Sequence, residues 1–93
     1  MPTLGSFTKQ PREILDYDVS YLDVLAGRTE TIVSHVVETT AGITVVSSVN
    51  TTNNVKVVIS GGTTGQSYKV TTLATSSAGL VYEDDFLLLV EEL

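Results

Sequence analysis

The sequence predicts an all-β fold, a small antiparallel β-sandwich with an extended N-terminal arm. Threonine and valine contribute fourteen residues each, and β-branched side chains lose rotamer freedom in a helix but pack well on a pleated surface. Apolar residues recur with a period of two in six or seven short runs, separated by turn residues, and nothing repeats with the helical period of 3.6; that is the pattern of a sandwich. A chain of 93 residues holds one core. Without cysteine that core has no disulfide or thiolate metal to reinforce it, so packing must supply its stability, within the chain or against others.

Residues 1–12 contain Pro2, Gly5 and Pro11 and few apolar groups. They read as an extended arm with little core to join, ordered by a neighbour if at all. Residues 13–93 form the sandwich. Its first strand, Glu13 to Ser20, alternates Leu15, Tyr17 and Val19 on one face with Asp16, Asp18 and Ser20 on the other. Tyr21 to Leu25 reads as a short helical turn or a loop. In the second strand, Thr31 to Thr39, Val33 and Val37 share a face with His35, and Ile32 and Val36 point the other way. Thr40 to Gly42 turn the chain into a strand over Ile43 to Ser48, and Val49 to Asn54 form a polar connection. Val55 to Ser60 is the next strand, followed by long ones over Ser67 to Thr75 and Leu80 to Glu91, with Ser76 to Gly79 as the hairpin between them.

Between the fourth and fifth of these strands lie Gly61, Gly62, Thr63, Thr64 and Gly65, a turn whose glycines supply positive φ or close approach. A phosphate cradle would need a lysine and a helix N-terminus after it, and Tyr68, Lys69 and Val70 open a strand instead. The stretch Gly65, Gln66, Ser67, Tyr68, Lys69, Val70 resembles the tyrosine corner of immunoglobulin-like and fibronectin type III domains, which assigns Tyr68 a structural tie to nearby backbone. Its alternative is an ordinary half-buried strand tyrosine.

The charge balance excludes some functions. Eleven acidic and five basic residues leave a net charge of −6, which repels phosphate backbones and anionic membranes and predicts no direct nucleic-acid or membrane partner. The start MPTLGSFTKQPR lacks the apolar middle of a signal peptide, so a soluble protein is expected. His35, the one histidine, lacks the companion ligands of a zinc site and any evident triad. Glu83, Asp84 and Asp85 sit on a strand that sends alternate side chains to opposite faces, so they cannot gather round one calcium ion; a bulge or a solvent-facing edge is expected there. No catalytic, metal or cofactor site is predicted. Asn50, Thr51 and Thr52 match the glycosylation pattern by chance. In Phe86 to Val90, alternation sends Phe86, Leu88 and Val90 inward and Leu87 and Leu89 outward, where a partner, or a segment of the same chain, would cover them.

The run Phe7, Thr8, Lys9, Gln10, Pro11, Arg12, Glu13, Ile14, Leu15, Asp16, Tyr17, Asp18 resembles the start of small virion proteins of tailed bacteriophages. The resemblance continues through Ile43 to Val45, Ile59 to Thr63, Gly65, Tyr68 to Thr71, Gly79 and Glu83 to Glu91. It departs after Gly79, where Leu80 and Val81 stand in place of a basic residue. The resemblance implies an immunoglobulin-like structural component of the virion, assembled in the bacterial host, binding other virion proteins and copies of itself. The neck and tail region is the expected position and capsid decoration the alternative. Leu87 and Leu89, with Phe7, Lys9 and Pro11 of the arm, are the expected contact residues. Two competing classes are a carbohydrate- or host-surface-binding module using Tyr21 and Tyr82, and a small hydrolase using His35.

Overall fold

The structure, a computed structural model, describes residues 3–21, 25 and 29–92, with side chains from residue 5 onward. Seven strands run along the described residues: β1 (Thr3–Lys9), β2 (Leu15–Ser20), β3 (Ile32–Thr39), β4 (Ile43–Asn50), β5 (Asn54–Gly61), β6 (Gln66–Ser76) and β7 (Val81–Val90). They form a four-stranded sheet of order β1-β7-β6-β3 facing a three-stranded sheet of order β2-β5-β4. The sandwich is elongated, 43 × 22 × 18 Å.

Period-two patterning builds the core. Val19 of β2 faces Val55 across the register, and Tyr17 faces Val57; Tyr68, Val70 and Ala74 of β6 share their face with Phe86, Leu88 and Val90 of β7. The two inner faces meet with Val55, Val57, Ile59, Val70, Leu88 and Val90 fully buried, each contributing roughly 1.5–3 kcal/mol by leaving water.

Four expectations need correction. Within the segment read as an arm, Thr3–Lys9 forms β1, which pairs with β7 in parallel while every other pair among the described residues is antiparallel. The chain itself therefore orders this strand. Its inward positions are Phe7 and Lys9, opposite Leu88 and Val90, and a lysine at a core position hides the alternation. The second concerns the acidic run: β7 pairs with β6 through Glu83 to Asp85 with no bulge in that ladder, and β1 joins its other side from Asp85 onward, so the run is not a solvent-facing edge. Asp84 and Asp85 are both buried. Third, β3 carries a bulge between Ile32 and Ser34. The extra residue turns Ile32 into the core and leaves Val33 exposed, reversing the faces that strict alternation assigns them. Fourth, β4 runs on to Asn50, beyond the expected Ser48, after a bulge between Val45 and Ser47.

Candidate protein-interaction surface

The two long sides of the sandwich are closed in different ways. On one side β3 and β4 are the edge strands, and His35 spans them: Nδ1 lies 2.7 Å from Asn50 Oδ1 and Nε2 lies 2.8 Å from Ser48 Oγ. Asn50 also donates from Nδ2 to Ile32 O at 3.4 Å, which orients its amide so that Oδ1 accepts the histidine N–H. His35 is thus a polar staple between sheets, and the amide of the Asn50, Thr51, Thr52 motif is engaged in it.

On the other side β1 faces β2, and the closure is aromatic. Phe7, Tyr17 and Phe86 form a triangle with centroids 5.3–5.5 Å apart, Phe7 meeting Phe86 edge-on at 84°. Phe7 remains 45 % exposed. Tyr17 Oη is buried without a hydrogen-bond partner, and burial raises its pKa, with Glu13 and Asp16 adding to the effect. Beside this seam, on the outer face of the four-stranded sheet, Leu87 pairs across with Ser6 and Leu89 with Thr8. Leu87 is 43 % exposed and Leu89 is half-buried. β1 extends the sheet next to these leucines without covering them.

Lys9 lies at the end of the seam and is turned inward, 1 % exposed. Its Nζ donates to Gly61 O at 2.7 Å, Gln10 O at 2.8 Å and Pro11 O at 3.3 Å, satisfying all three protons of the ammonium. Burial pulls its pKa below the ordinary value, partly offset by Glu13. Pro11 is half-buried in the tight turn that Gln10 and Glu13 close. It lines an open cleft of ≈ 370 Å³ with Gln10, Arg12, Thr64 and Glu92.

The glycine turn is the same end's other half. Tyr68 Oη accepts the Thr63 N–H at 2.8 Å, and Gly65 N–H donates to Val90 O at 2.8 Å. Gly61, Gly62 and Gly65 all have positive φ. A Cβ on Gly62 would come within 2.5 Å of Val90 Cγ2 and 3.4 Å of the Tyr68 ring.

At the opposite end, Tyr21 is fully buried and bonds Thr72 Oγ1 at 2.7 Å; Thr72 donates in turn to Asp84 O at 3.4 Å. Burial raises the pKa of Asp84, with the Tyr21 hydroxyl partly offsetting it, and pushes Tyr21 up to about 12 despite the Thr72 bond. Tyr21 therefore offers no platform to a sugar. Tyr82, half-buried with its hydroxyl on Glu30 at 3.3 Å, lies against Tyr21 with ring centroids 6.4 Å apart. Exposed apolar side chains also gather at this end: Val33, Leu80 and Val81. Glu83 points to solvent, Asp84 to the core and Asp85 to the outer face beside Lys69, 3.3 Å away. Among the described residues no three His, Cys, Asp or Glu side chains converge as a metal site would require.

Among the described residues the surface offers exposed hydrophobic side chains on two regions. Residues 9–89 match the family described as podophage GP4 fiber-tail adaptor protein gp77. The chain belongs to this family. It is accordingly a structural protein of a tailed-phage virion, as the resemblance in the sequence implied, and the family match places it with the tail. The gp77 match starts at Lys9, so Phe7 and most of β1 lie before it. No curated protein matches the chain.

Proposed function

We propose that this gp77-family protein is a non-catalytic adaptor at the junction of tail and fibre, holding a neighbouring virion protein on the flank formed by β1 and the outer face of β7. Leu87 carries the reading. It sits on a strand paired on both sides, yet it is 43 % exposed, beside half-buried Leu89 and half-exposed Phe7. Apolar side chains grouped on one flank of an acidic surface fit a protein interface. The apolar group at the far end, Val33, Leu80 and Val81, gives a second region for a second neighbour, as an adaptor requires. Lys9 and Pro11 support the flank from behind by fixing the turn at its end.

The strand order and the Tyr68–Thr63 tie support an immunoglobulin-like type for the sandwich. Several copies would be arranged by the symmetry of the tail. A net charge of −6 suits a position away from DNA. The family's description favours the tail over the neck or the capsid surface.

Replacing Leu87 and Leu89 together by aspartate tests the flank. The expected result is a folded protein with unchanged circular dichroism that no longer enters particles, while the wild type is present in a copy number that follows the fibres. Undiminished entry would overturn the interface, and a copy number near that of the capsid protein would favour decoration instead.

A further inference from the structure

The flank proposed to hold a neighbouring protein also contains an open main-chain edge, and a role for that edge rests on the flank being the interface. The sandwich has four edge strands among the described residues, and three are guarded. β2 directs Asp16 and Asp18 outward, with Asp16 3.7 Å from Lys56. β3 and β4 are each bulged, and His35 ties them together. Charges and bulges of this kind deter pairing with other strands. β1 is irregular between Thr3 and Ser6 but runs in unbroken register from Ser6, opposite Leu87, to Lys9, opposite Val90. No charge points outward from that stretch, because its one ionisable residue, Lys9, is buried.

The hydrogen-bonding direction is also fixed. Glu91 N–H donates to Lys9 O at 2.9 Å, so Lys9, and by alternation Phe7, turn their main chain towards β7. Ser6 and Thr8 turn their N–H and C=O to the open side.

We propose that the open edge of β1 receives an extended segment of another virion chain as a fifth strand of the larger sheet, apolar where it covers Phe7 and basic where it passes β2. A strand added at the usual spacing of about 4.8 Å lies over the exposed part of the Phe7 ring and places the side chains of its outer face beside Ser6 and Thr8, the cross-strand neighbours of Leu87 and Leu89. The far bank of the seam selects its charge. Glu13 and Asp16 act on Tyr17, which meets Phe7 across the seam, and the chain carries a net charge of −6, so lysine or arginine on the incoming strand is attracted there. A second copy of this chain would bring the same carboxylates to the seam and is disfavoured for that reason. Main-chain bonds supply the hold and alternate side chains the selectivity, as in other strand additions.

Thr8→Pro tests the edge directly. Proline removes the outward N–H of Thr8 and none of the bonds to β7, and an edge strand tolerates it. The variant is expected to melt as the wild type does and to enter particles at least tenfold less. If it enters normally while the Leu87 and Leu89 aspartate variant does not, strand addition is wrong and the flank assignment survives; if both enter normally, both fall. Should Thr8→Pro fail to fold, a photoactivatable benzoylphenylalanine at Thr8, irradiated in assembled particles and mapped by mass spectrometry, decides the question. Attachment to a lysine- or arginine-bearing segment of another virion chain supports the proposal. Attachment to a second copy of this chain, or none, overturns it.

Discussion

Lys9 donates a hydrogen bond from Nζ to the carbonyl oxygen of Gly61 at 2.7 Å, joining the last residue of β1 in one sheet to the last residue of β5 in the other. An ammonium in a closed end of a sandwich is tolerated because three carbonyls surround it, and those carbonyls are in turn satisfied by it.

Lys9→Met keeps the length of the side chain and removes its donors. Gly61 O, Gln10 O and Pro11 O then lose their partner at a part-buried site, and the expected cost is about 2 kcal/mol. A urea titration with an unchanged slope and a lower midpoint would show it; an equal midpoint would mean that water replaces the amine without loss.

Gly62 and Gly65 should answer differently to the same change. Both have positive φ, +104° and +85°, but a Cβ on Gly62 collides with Val90 while one on Gly65 meets nothing within 4 Å. Gly62→Ala is expected to cost about 3 kcal/mol from strain and overpacking together, Gly65→Ala about 1 kcal/mol from the backbone alone. Thermal melts of the two variants side by side test the ranking, and equal losses would contradict it.

Alkali should unfold the protein through Tyr21. Its phenol is held neutral in the core, with its pKa raised from 10.0 to about 12. A raised folded-state value stabilises the fold fully below the unfolded-state value, and the contribution is lost as pH climbs from 10 towards 12. The two-unit difference corresponds to roughly 2–3 kcal/mol. Tyr17, also shifted upward, acts in the same direction. Stability measured by urea at pH 9 and pH 11.5 should fall in the wild type and fall less in Tyr21→Phe. An identical decline would exclude Tyr21 as the cause.

His35→Ala should weaken the polar side of the sandwich. Asn50 Oδ1 and Ser48 Oγ lose their bonds to the ring, but both sites are partly wet, so the expected loss is about 1 kcal/mol. His35→Gln, which can keep one of the bonds, should fall between alanine and wild type in melting temperature.

These residues also mark what a reading of the sequence alone can reach. Strict alternation makes β2, β5, β6 and β7 legible, and it separates Leu87 from Leu88 correctly because β7 has no bulge. Val33 shows the converse: one extra residue in β3 exchanges the faces of Ile32 and Val33, and no local pattern announces it. β1 escapes because its inward positions hold Phe7 and a lysine, whose fitness for the core depends on the carbonyl of Gly61, 52 residues away. The burial of Asp84 is hidden in a similar way, since its partners Tyr21 and Thr72 are distant in sequence, and Asp85 is flanked by β1 only through the pairing of Thr3 with it. In the interaction flank, Leu87 and Leu89 follow from parity, whereas the aromatic seam needs Tyr17 and Phe86, distant in sequence, to meet over Phe7.

The parallel pairing of β1 with β7 has a kinetic consequence. Lys9 meets Val90, so this contact closes nearly the whole chain into a loop, whereas β6 and β7 zip from a tight hairpin. Closure entropy grows with the length enclosed, and contacts between remote segments form late. β1 is therefore the last strand to dock and the first to peel away. Amide deuterium exchange should find Phe7 and Lys9 opening well before Val70 and Leu88, and a chain seated on the open edge of β1 would hold that strand shut and slow its exchange.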